Sequence, residues 1–336
     1  MEFDDTEQPI SDATSHSSSD EGVAPPATYS GTVLQAEIFG EPKLVDVPSS
    51  PRPRWWTTFA ICGLSLFCFL VASGVCTLVA IFVVHGAIDI QALRDEQTIA
   101  TVMGSRLGLF IMVVLPQIAL VAPCLVAAAL SPVGFRERLG LVRGQWPIWT
   151  WVAAALATPL VGMVSAMVVS MFMTESEMLK ELSSVFRDHG RNGFLIPLAL
   201  MVGMTPAFCE ELLFRGYMQT RLTRSFGPVA GILIASILFA AFHMDLVHIV
   251  AVLPLGLYLG IVTWQSGSLF PAMLGHFVNN SISVVLAVNA PGDEPEMLAA
   301  PALAFMAAIF AFGAAGLAVV CYASVAYRQS DSTRIA

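Results

Sequence analysis

Apolar residues run along this chain in long unbroken stretches, the pattern of helices surrounded by lipid or by one another rather than of amphipathic helices or alternating strands. A bilayer crossing needs about 20 mostly apolar residues. By that rule eight stretches qualify, at about 56–85, 105–130, 147–173, 193–223, 227–243, 247–265, 269–290 and 299–326. The fifth and sixth are short and only His243-Met244-Asp245-Leu246 separates them, with Asp245 placed to cap the N-terminus of the sixth. Residues 1–50 are rich in Ser, Asp, Glu, Pro and Thr and carry too little apolar surface to offset the entropy of ordering, which predicts a disordered tail. That tail lacks the basic start and short apolar core of a signal peptide, so the first stretch is expected to stay as an anchor. The predicted fold is an all-α polytopic membrane bundle of about eight transmembrane helices. Its divisions are a tail at 1–50, the first three crossings at 51–190, a core of crossings four to seven at 191–290, and the last crossing with a short tail at 291–336.

Composition agrees. Of 336 residues 56% are hydrophobic and 12% charged, against roughly 25% charged in soluble domains, and mean hydropathy is +0.74. The net charge of -9 comes largely from the tail, and with no basic cluster there is no sign of nucleic-acid binding. The six cysteines all fall in apolar runs without CxxC or CxxH spacing, so they read as small hydrophobes. Arg52 and Arg54, then Arg136, Arg138 and Arg143, then Arg221 and Arg224, then Arg328 and Arg334 fall in alternate loops. By the positive-inside rule these face the cytoplasm, with both chain ends, and the loop around Asp293 faces out. The stretch 174–192 reads as an outer loop, although it carries Lys180, Arg187 and Arg191.

Charges inside the membrane carry the chemistry. Cys209-Glu210-Glu211-Leu212-Leu213-Phe214-Arg215 sets three ionisable groups in an apolar run, and each would cost roughly 2.5–3.5 kcal/mol near the bilayer centre without a partner or a wet cavity. Glu211 and Arg215 stand four apart and meet on one helical face. Glu210 is turned about 100° away with no cation at helical spacing, so its partner comes from elsewhere. His243, His248 and His276 lie in the apolar second half; Phe239 is one turn before His243, and Asn280 one turn after His276. Measured from their cytoplasmic helix ends, Glu210 and His243 lie roughly 21 and 24 Å deep, whereas His276 would be about 10 Å up unless Ser266-Gly267-Ser268-Leu269-Phe270-Pro271 dips inward. His248 reads as packing.

These residues resemble the CPBP intramembrane proteases, the group of type II CAAX prenyl endopeptidases and bacteriocin-processing or self-immunity relatives. Three motifs carry the resemblance in order: Glu-Glu-x-x-x-Arg at Glu210, Glu211 and Arg215, Phe-x-x-x-His at Phe239 and His243, and His-x-x-x-Asn at His276 and Asn280. The resemblance covers about residues 195–290, and the three motifs together are far more specific than any one. It implies a site of Glu210, His243, His276 and Asn280, supported by Glu211, Arg215 and Phe239. It also implies an endopeptidase acting on a hydrophobic or lipidated peptide or protein in the bilayer.

Two schemes stay open: Glu210 as general base with His243 placing water and His276 with Asn280 facing the oxyanion, or a Zn²⁺ held by Glu210, His243 and His276. No His-Glu-x-x-His, Gly-x-Ser-x-Gly or intramembrane aspartate pair is present. The rival classes are a transporter with a polar relay, against which no repeated half is found, and a silent scaffold or immunity protein.

Overall fold

The computed structural model describes residues 32–35, 43–46, 54–86, 96–290 and 300–327. Met1–Pro51 and Arg52–Ala336 are separate compact units. In the first, β1 (Thr32–Gln35) and β2 (Lys43–Asp46) pair antiparallel, Thr32 opposite Asp46. These eight residues lie within the stretch read as a disordered tail; the rest of that stretch lies outside the described residues.

The second unit is helical. In order come α1 (Trp55–His85), α2 (Glu96–Gly104), α3 (Arg106–Ala129), α4 (Phe135–Arg138), α5 (Ile148–Ser170), α6 (Glu177–His189) and α7 (Leu195–Glu211). After them come α8 (Thr220–Phe226), α9 (Pro228–Ala241), α10 (Leu246–Ser266), α11 (Phe270–Asn289) and α12 (Ala300–Ala326). Among the described residues, seven stretches are long and apolar enough to cross a membrane. The eighth expected crossing is the 14-residue α9, about 21 Å at 1.5 Å per residue and so shorter than a hydrocarbon core of about 30 Å. The bundle runs α1 on α3, α3 on α7, α7 on α11, α11 on α5, and α5 on both α10 and α12. Its outer faces keep large apolar side chains exposed, such as Phe67 on α1 and Met204 on α7, which is the surface lipid wets. The chain is an integral membrane protein.

Three local features depart from the sequence reading and position the site. The stretch 174–192 is not a loop but mostly the helix α6, whose N-cap Ser176 accepts from the Leu179 N–H. Between α6 and α7 the backbone breaks at Asn192 and Gly193, where φ is 78° at the glycine, so the two helices are free to differ in direction. Between α7 and α8, Leu212–Gln219 forms a wide π-helical segment, entirely buried, that begins immediately after the two glutamates. The link from α10 to α11 is a tight buried turn and not a long inward dip: Leu269 N–H donates to Gly140 O, and Gln145 N–H to Ser266 O, pinning it beneath the 139–146 segment.

Candidate active site

The π-helical segment aims Arg215 into the bundle. Glu211 and Arg215 are both fully buried, and the guanidinium Nη1 donates to Glu211 Oε1 at 2.7 Å, the pairing expected from their spacing. Nη2 donates to Gly256 O at 3.1 Å, and one turn on Gln219 Nε2 donates to Gly260 O at 2.9 Å. Two side chains thus grip the backbone of α10, and they reach it because residues 256 and 260 are glycines. A Cβ at Gly260 would stand 2.8 Å from Gln219 Oε1 and 2.9 Å from an Ile232 methyl. The guanidinium carbon also lies 4.0 Å from the centre of the Phe239 ring, a cation–π contact in a desolvated place.

His276 joins this pair. Its Nδ1 donates to Glu211 Oε1 at 2.9 Å, and its ring stands edge-on to Phe239 at 5.8 Å. A carboxylate can only accept, so the proton sits on Nδ1 and Nε2 is the ring atom left for chemistry. His243 is fixed in the same sense. Its own N–H turns to Ala240 O, which leaves Phe239 O at the end of α9 without its helical donor, and His243 Nδ1 supplies one at 3.2 Å. Phe239 touches His243 at 5.3 Å, so one aromatic ring supports both imidazoles and the guanidinium. Phe214 in turn packs edge-on against Phe239 and Phe242.

Glu210 points the other way, half-buried. Its partner is neutral: Gln117 on α3 donates from Nε2 to Glu210 Oε1 at 3.0 Å. Sequence reasoning missed Gln117, and only its position as a lone amide beside Pro116 in an apolar run could have marked it. Asn280 is occupied by structure at both ends. Pro206 has no N–H to give Val202 O, and Asn280 Nδ2 reaches that carbonyl at 3.4 Å while its Oδ1 accepts from Asn279.

His248 packs directly against the site. Asp245 caps α10 as expected, its carboxylate accepting the His248 N–H at 2.8 Å. That N–H holds the Asp245 carboxyl below the usual range, helped by a Ser176 side-chain bond. Met244 between the helices takes a left-handed φ of 54°, the one non-glycine among the described residues to do so. The tight link folds the His248 ring onto His243, with centres 4.4 Å apart.

The structure therefore gathers Glu211, Arg215, Phe239, His276, His243 and His248 in one chain of contacts, with Glu210 held beside it from α3. Among the described residues no group of three or more His, Cys, Asp or Glu is placed to hold a metal ion. The Nε2 atoms of His243 and His276 are of a type that suits a metal, and no step below passes through zinc.

The part of the chain that carries this buried Glu-Arg-His cluster is similar to known sequences. Residues 192–282 match the family described as type II CAAX prenyl endopeptidase Rce1-like, and every motif residue named above lies within that range. Uncharacterized protein YpbD of Bacillus subtilis (strain 168) is 31% identical over 91 residues, 26% of this chain and 44% of that protein, so the chain spans less than half the length of this relative. No solved structure matches the chain.

Proposed function

We propose that the protein is an intramembrane endopeptidase that hydrolyses a peptide bond in a hydrophobic or lipidated substrate, with Glu210 as general base. The observation that carries this is the division of labour between adjacent glutamates. Glu211 accepts from both Arg215 and His276 on one oxygen and is held in an ion pair, whereas Glu210 accepts from the neutral amide of Gln117 and forms no salt bridge among the described residues, which leaves its carboxylate to act on water. His243 Nε2, the lone pair left by its bond to Phe239 O, holds the water. Glu210 takes one proton as the water oxygen attacks the scissile carbonyl. The oxyanion accepts from Asn280 Nδ2, whose 3.4 Å bond to Val202 O is the longest in the cluster and the easiest to give up, with His276 held beside it by Glu211. Collapse breaks the C–N bond, and Glu210 returns its proton to the leaving amine.

The proposed setting is the plasma membrane, and the alternating arginines support an orientation with both ends in the cytoplasm, ends that themselves lie outside the described residues. The test is turnover. Purified protein in detergent is incubated with a peptide library and cleavage is read by mass spectrometry. Glu210→Gln should lower the rate by roughly 10²–10⁴-fold while inserting normally. Turnover by Glu210→Gln within a few fold of the parent would overturn the scheme.

A further inference from the structure

A cavity of about 1370 Å³ opens between α2 and α6, and His248, whose ring touches His243, is among its lining residues. Nothing in the hydrolytic scheme uses it. Its walls are tied together: His189 Nε2 bonds Met103 O at 2.8 Å, and Arg106 Nη2 donates to Asn192 O at 2.9 Å. The chain path also gives it a side. α3 runs from Ser105 to Leu130 and α5 from Pro147 to Met171, so α2, α6 and the 242–245 link sit at the helix ends opposite the arginine-bearing 130–147 segment.

The lining chemistry selects among ligands. Arg106, Lys180 and Arg187 are matched in number by Glu175, Glu181 and Asp188, so the lining carries no net formal charge to favour a phosphate headgroup. Met103, Met112 and Met178 add adaptable apolar surface of the kind that accepts varied side chains. The volume exceeds the roughly 300–1,000 Å³ of pockets for small molecules and suits a length of polypeptide.

We propose that this groove binds the polar, net-neutral segment of the substrate polypeptide beside the scissile bond, and that the substrate reaches the site from the membrane face opposite the 130–147 segment. This rests on the endopeptidase reading and adds the binding subsite and the side of approach. His248 is then the point where the bound segment passes to His243.

The probes are two synthetic peptides: an apolar segment alone, and the same segment extended by an uncharged polar tail bearing a benzophenone. Irradiated with the full chain carrying Glu210→Gln, the long peptide should cross-link to α2 and α6. Cross-links confined to the 130–147 segment or to the lipid face of α1 would overturn the proposal. So would loss of the α2 and α6 cross-links on adding phosphatidylglycerol vesicles, which would mark a headgroup site. With active protein, the long peptide should be preferred in kcat/KM. Ser184→Trp and Ala100→Trp, at exposed positions of the lining, should each reduce that preference about tenfold, mostly through KM. A preference unchanged in both variants, or absent in the parent, sinks the groove. If the parent cleaves neither peptide, the endopeptidase reading fails, and the cross-links still decide the groove on their own.

Discussion

Glu211→Gln separates support from chemistry. In the native cluster Glu211 Oε1 receives both Arg215 Nη1 at 2.7 Å and His276 Nδ1 at 2.9 Å, and both partners of the ion pair are at 0% exposure. A glutamine oxygen can still accept both bonds, so shape is nearly kept and only the negative charge is lost. Arg215 is then a buried cation facing Gly256 O, an amide and the Phe239 ring, with no anion in contact. Removing one member of a buried pair costs roughly 3–5 kcal/mol, and at about 2–4 °C per kcal/mol for larger domains the melting temperature should fall by roughly 6–20 °C. Glu210→Gln is the contrast: Glu210 is half-buried and bonded only to a neutral amide, so its loss should move melting by no more than a degree or two, on the order of a surface substitution. Thermal unfolding in detergent, followed by intrinsic fluorescence beside peptide cleavage, reads both. The double change Glu211→Leu with Arg215→Met removes the uncompensated charge and should recover most of the lost stability, yet stay inactive because His276 has lost its anchor. If Glu211→Gln melts with the parent, or the double variant melts no higher than Glu211→Gln, the buried pair is not what holds this cluster.

Three further outcomes follow from particular contacts. Gly260→Ala puts a methyl against Gln219 Oε1 and Ile232 and should cost about 1–3 kcal/mol, whereas Gly63→Ala on α1, where nothing lies within 4 Å, should be neutral or slightly stabilising in the same melting assay. Exhaustive chelation should leave turnover intact if Glu210 acts directly on water; loss of activity restored by roughly one zinc per chain, and weakened alike by His243→Ala and His276→Ala, would replace that scheme with a metal one. For topology, a membrane-impermeant maleimide added to intact cells should label Ser184→Cys and spare Gly134→Cys in a background without other cysteines, and the reverse pattern would invert the orientation.

What the sequence determined by itself was local. Helical geometry places residues three and four apart on one face whatever surrounds them, so the Glu211–Arg215 pair, Phe239 beneath His243, the Asp245 cap and the divide between α9 and α10 were all readable from spacing. Length and apolarity likewise sufficed for a polytopic helical bundle. The tertiary structure decided which helix met which. His276 is 65 residues from Glu211 and Gln117 is 93 from Glu210, and neither partnership leaves a mark on periodicity. In lipid the apolar pattern carries little registry, since every face of a crossing is apolar. Contact depends on where glycines let backbones approach and where proline frees a carbonyl, as Gly256 does for Arg215 and Pro206 does for Asn280. The π-helical segment belongs to the same class: it is set by two side chains that must reach the carbonyls of α10, a demand that exists only after the bundle has assembled.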